Sequence, residues 1–88
     1  MNALTLPISP LTRNRLEIRL RIRAFRRQCG ISLPLTGAAF LALRRKARID
    51  LGRLAYAFDS MPRAVVAFES EGAAPPPGLR PLLGEWVR

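Results

Sequence analysis

Histidine is absent from this 88-residue chain, and cysteine occurs once, as Cys29. The first absence removes the commonest general base and the commonest metal ligand, and the second rules out an internal disulfide. A Cys29 nucleophile would have no imidazole beside it to take its proton, so the thiol reads as a small buried apolar residue. Acids are scarce as well: Glu17, Asp50, Asp59, Glu69, Glu71 and Glu85 stand against 15 cations. Only Glu69 and Glu71 lie close together, and beside Gly72 and a proline run they read as a solvated pair at a segment end. No apolar stretch approaches the ~18 residues that cross a bilayer, and no basic leader runs into an apolar secretory core. These gaps point to a non-enzymatic, cytoplasmic protein with no cofactor and no metal, for which a membrane is not an expected partner.

What is abundant is positive charge. The formal net charge is +9, and every cation is Arg except Lys46. Residues 1–30 carry seven Arg and one Glu, residues 31–58 four Arg, Lys46 and Asp50, and residues 59–88 three Arg and four acids. The basic surface therefore belongs to the first two-thirds. An Arg-rich, acid-poor start shares its composition with mitochondrial transit peptides, but its periodicity continues smoothly into the rest of the chain. The hydrophobic fraction of 49% is that of a folded protein. At this size folding hides only roughly 60–65% of the surface, so one small domain with a thin core is expected, and a partner could complete it. Ala73-Ala74-Pro75-Pro76-Pro77-Gly78 favours an extended polyproline spacer. It divides the chain into a basic helical domain, 1–72, and a proline-rich spacer with an apolar tail, 73–88.

Phe40, Leu43, Ala47, Leu51, Leu54 and Phe58 recur at three- and four-residue spacings, which predicts one amphipathic helix over 37–58. Thr36 is its N-cap and Leu35 a staple against Phe40. Asp50 is placed to pair with Lys46 or Arg53, and Gly52 marks a weak point where another backbone could approach. Residues 10–29 fit a second helix, capped by Ser9, opened by Pro10 and closed by Gly30, with Leu11, Ile18, Ile22, Phe25 and Cys29 on one face. In that helix Leu16 and Leu20 fall on the opposite side among arginines and ask for a second neighbour. The same stretch alternates apolar and charged residues, so an α+β alternative makes 15–25 a strand, to which 64–68 could pair. A short third helix near 61–70, with Ser60 as cap, follows. The fold expected is mainly α: a helical hairpin, a short third helix and a proline-tethered tail.

The uncompensated cations suggest a polyanion. Arg15, Arg19, Arg21, Arg23, Arg26 and Arg27, with Arg44, Arg45, Lys46 and Arg48, form the candidate nucleic-acid-binding face, which would contact the phosphates of DNA or RNA and release counterions. Aromatic residues are sparse there, which disfavours base stacking. The residues match no helix-turn-helix, zinc-finger or RNA-recognition signature. The second reading is a structural or adaptor subunit, of the kind viruses and mobile elements encode, built into an oligomer or larger assembly. It would meet an acidic protein surface and grip its partner through the apolar helix seam and the tail residues Leu82, Leu83 and Trp86; the tail could equally pack on its own chain.

Overall fold

The computed structural model describes residues 9–84. Its elements are α1 (Pro10–Cys29), α2 (Gly37–Lys46), α3 (Leu51–Ala57), α4 (Pro62–Glu71) and α5 (Arg80–Leu83), the last preceded by a 3-10 turn over Pro77–Leu79. Among the described residues there is no strand. The strand reading of 15–25, and with it any pairing to 64–68, is thereby corrected. The helix wins because its ends are written locally. Ser9 Oγ accepts the Thr12 N–H, Pro10 opens the first turn, and Gly30 closes the last one at φ 67 with its N–H turned back on the Arg26 and Arg27 carbonyls. Ile18 and Ile22 are buried, whereas Leu16 and Leu20 remain 49% and 53% exposed. The apparent alternation thus comes from two different helix faces. Cys29 is exposed rather than buried, because the final turn of α1 runs past the core.

The long helix expected over 37–58 is two helices. Arg48 takes a left-handed conformation at φ 57, and Asp50, instead of pairing with a neighbouring cation, caps α3 by accepting the Arg53 N–H at 3.0 Å. Ile49 before this cap and Leu54 within the helix are both buried, as in a hydrophobic staple. The apolar spacing misled because both helices turn the same stripe toward one core. The cap of α2 is Thr36, as the sequence predicts, its hydroxyl accepting the Ala39 N–H at 3.2 Å. The cap position of α4 is Met61, with no side-chain hydrogen bond; Ser60 instead donates its hydroxyl to the Phe58 carbonyl.

α2 and α4 pack most closely. A side chain at Gly37 would overlap the Phe68 carbonyl oxygen, and the Phe40 and Phe68 rings meet at 6.0 Å between centroids. Gly52, by contrast, is exposed and meets only the Asp50 carboxylate. The segment after the proline run folds back onto the body. Pro76, Leu79, Leu82 and Leu83 are buried, Gly78 lies directly under the Phe58 carbonyl, and the Leu35 N–H donates to the Leu83 carbonyl at 3.1 Å. Leu82 and Leu83 therefore fill the chain's own core and are not offered to a partner. Trp86 lies outside the described residues.

Candidate nucleic-acid interface

α2, α3 and α4 are locked by one buried ion pair. Arg44 donates from Nε to Glu69 Oε2 at 2.7 Å and from Nη2 to Oε1 at 3.0 Å, a bidentate pairing, and its Nη1 reaches the Ile49 carbonyl at 3.0 Å. The Glu69 side chain is 2% exposed. A carboxylate so deep needs its donors, and this one ties the end of α2 and the α2–α3 corner to the last turn of α4. Arg44, expected on the nucleic-acid face, is withdrawn into the interior by this pairing, and Glu69 is no solvated segment end.

α3 and α4 are joined by the four residues 58–61. Asp59 adopts a left-handed conformation at φ 49, which Asp tolerates better than most residues, and the Ser60 N–H bonds the Ala55 carbonyl at 2.9 Å. Arg15 braces this turn from α1, donating Nε to the Ala57 carbonyl and placing Nη2 3.3 Å from the Asp59 carboxylate. The result is a helix–turn–helix arrangement, whose turn and second helix the sequence predicts but whose first helix it fuses with α2. Asp50 as a second N-cap was the signal that could have revealed it. On the outer face of α4, Arg63, Val66 and Ser70 follow one another at helical spacing and are exposed, and Met61 stands exposed just before them.

The remaining cations fall into two groups rather than one continuous face. At about 100° per residue, Glu17 and Arg21 lie on one flank of α1 and Arg19, Arg23 and Arg26 on the other, with Ile18 and Ile22 between. On the first flank Arg21 donates to the Ala47 carbonyl at 3.2 Å, while Arg53 reaches both Asn14 and Glu17. This flank is therefore packed on the α2–α3 corner, where Arg45, Lys46 and Arg48 are exposed and make none of the ion pairs. On the far flank Arg26 donates to the Ile31 carbonyl at 3.4 Å, Arg23 and Arg27 are exposed, and Arg19 has a partner of its own. Comparison with known protein families, curated proteins and solved structures gave no match. Among the described residues no helix is long and apolar enough to cross a membrane.

Proposed function

We propose that the protein is a non-enzymatic binder of double-stranded DNA. The observation that carries this reading is the α3–turn–α4 unit, whose second helix is tied to α2 by Arg44–Glu69, with an outward α4 face beginning at Arg63 and three exposed cations at the α2–α3 corner. In helix–turn–helix proteins the second helix enters the major groove with its first residues at base edges, and the first crosses the backbone. In this chain Arg63 is placed to meet a guanine edge or a phosphate, and Val66 suits a thymine methyl. Arg45, Lys46 and Arg48 supply phosphate contacts, which position the helix without reading sequence. A single-stranded ligand fits less well: Tyr56 is the one exposed aromatic among the described residues, too few for a stacking platform.

Fluorescence anisotropy with a random-sequence duplex tests the proposal. Four phosphate-contacting cations give a log–log salt slope of about −3.6, and Arg45→Ala/Lys46→Ala/Arg48→Ala flattens it to about −1. Absence of binding at low salt, or an unchanged slope in the triple variant, contradicts the reading.

A further inference from the structure

Leu16 and Leu20 stand among the α1 arginines and ask for a second neighbour, which the folded chain does not supply: both remain about half exposed. At about 100° per residue they share an arc of about 80° with Arg13, Arg23 and Arg27, on the side of α1 opposite Ile18 and Ile22. All five side chains are exposed, and the three arginines make none of the ion pairs among the described residues. From Arg13 to Arg27 the strip runs ~21 Å, with the two leucines between cations on either side. We infer that this outer face of α1 lies along an anionic lipid surface, Leu16 and Leu20 reaching below the headgroups and Arg13, Arg23 and Arg27 meeting the lipid anions.

Charge and spacing favour that partner. The one acid of α1, Glu17, stands on a flank of the helix and is held there by Arg53 and Arg21, so the outer strip is purely cationic and apolar. Each basic residue beside an anionic bilayer adds about fivefold to affinity, and leucine with arginine is the composition of helices that lie in the headgroup layer. A partner helix fits less well. A seam along Leu16 and Leu20 would continue, one turn further in either direction, over Arg13, Arg23 and Arg27, and would bury cations that a fluid headgroup layer lets extend to its phosphates. A DNA duplex answers the charge but offers two adjacent leucines no apolar floor beyond thymine methyls. Such a helix lies on the bilayer without crossing it, so it needs none of the long apolar run whose lack removed the membrane from the partners expected of the sequence. The inference does not rest on the duplex reading, whose cations Arg45, Lys46 and Arg48 belong to the α2–α3 corner.

The test is co-sedimentation of the full chain with phosphatidylcholine vesicles, plain or containing about one-third phosphatidylserine. Binding is expected to the anionic vesicles and to be at least about tenfold weaker to the plain ones. Leu16→Gln/Leu20→Gln, exposed positions given a good helix former, keeps the circular dichroism and weakens vesicle binding at least about tenfold. Its duplex affinity stays within about twofold, because the leucines touch no phosphate. Arg13→Gln/Arg23→Gln/Arg27→Gln costs about a hundredfold on vesicles, whereas Arg45→Ala/Lys46→Ala/Arg48→Ala, which removes the same charge away from the contact face, costs no more than about fivefold. Absence of binding to the anionic vesicles overturns the inference. So does vesicle binding that ignores the leucine pair, or equal losses in the two triple variants, since the bilayer would then sense only net charge. A loss of duplex affinity in Leu16→Gln/Leu20→Gln as large as the loss on vesicles also overturns it, by giving the face to DNA. So does an acidic amphipathic peptide that binds the face in a leucine-dependent way and more tightly than the vesicles do, which would make a protein helix the partner.

Discussion

α1 and α4 obey the same local rules and serve opposite purposes. Each has proline at its start and closes on a left-handed glycine, Gly30 at φ 67 and Gly72 at φ 74. Yet α1 carries seven Arg and one Glu, most of them facing water, whereas α4 carries one Arg and two Glu and turns one of those acids into the core. α1 touches the body through Ile18 and Ile22, the partly buried Leu11 and Phe25, and a few long polar reaches. α4 is fixed by an aromatic pair, a backbone approach at Gly37 and a buried ion pair. Similar caps can thus start and stop a scaffold helix or a charged outer one, and the difference lies in what each buries.

Breaking the internal ion pair should have the largest effect on stability. Glu69→Ala strands the Arg44 guanidinium and is expected to cost about 3–5 kcal/mol, read by chemical denaturation; Arg44→Met/Glu69→Leu, which removes both charges, recovers most of it. If Glu69→Ala costs no more than an exposed substitution such as Glu71→Ala, the pairing does not hold α4 in place. The backbone approach comes next. Gly37→Ala forces a methyl into the Phe68 carbonyl, and overpacking of this kind costs about 1–3 kcal/mol. On the α1 side the matching change is gentler: Ser9→Ala removes the cap and lowers stability by about 1 kcal/mol. The smallest expected change has the opposite sign. Arg48→Gly relieves a left-handed arginine and adds up to about 1 kcal/mol, while weakening duplex binding, so stability and affinity move apart at that one residue.

The helix ends were legible where caps are local. Ser9, Pro10, Gly30 and Thr36 set the bounds of α1 and the start of α2 from sequence alone, because Ser9, Gly30 and Thr36 bond backbone groups within three or four residues and Pro10 brings no donor that the first turn would leave unpaired. The break between α2 and α3 was not, since a helical stripe continues in phase through Ala47, Leu51 and Leu54 although the chain turns at Arg48. The candidate site was legible as charge and not as geometry. Arg45, Lys46 and Arg48 were expected on a basic face and are exposed, but nothing at short range in the sequence announces that Arg44, their neighbour, meets Glu69 across 25 positions. Arg63 stands apart from the basic clusters, in the third of the chain where four acids outnumber three arginines, so composition gives it no signal, and the turn at Asp59 brings it to the head of an outward helix. The C-terminal segment read equally well as tether or as core, and Gly78 under Phe58 shows why it packs: without a side chain it admits the carbonyl.

The account stands on the claim that placement of cations, not their number, directs DNA to the α3–α4 side. One titration addresses it: a random duplex against wild type, Arg45→Glu/Lys46→Glu/Arg48→Glu, and Arg19→Glu/Arg23→Glu/Arg27→Glu, two variants with the same net charge. The account predicts that the corner variant loses at least about tenfold more affinity than the α1 variant. Equal losses in the two would mean that duplex DNA senses only the overall charge, and the helix–turn–helix reading would fall.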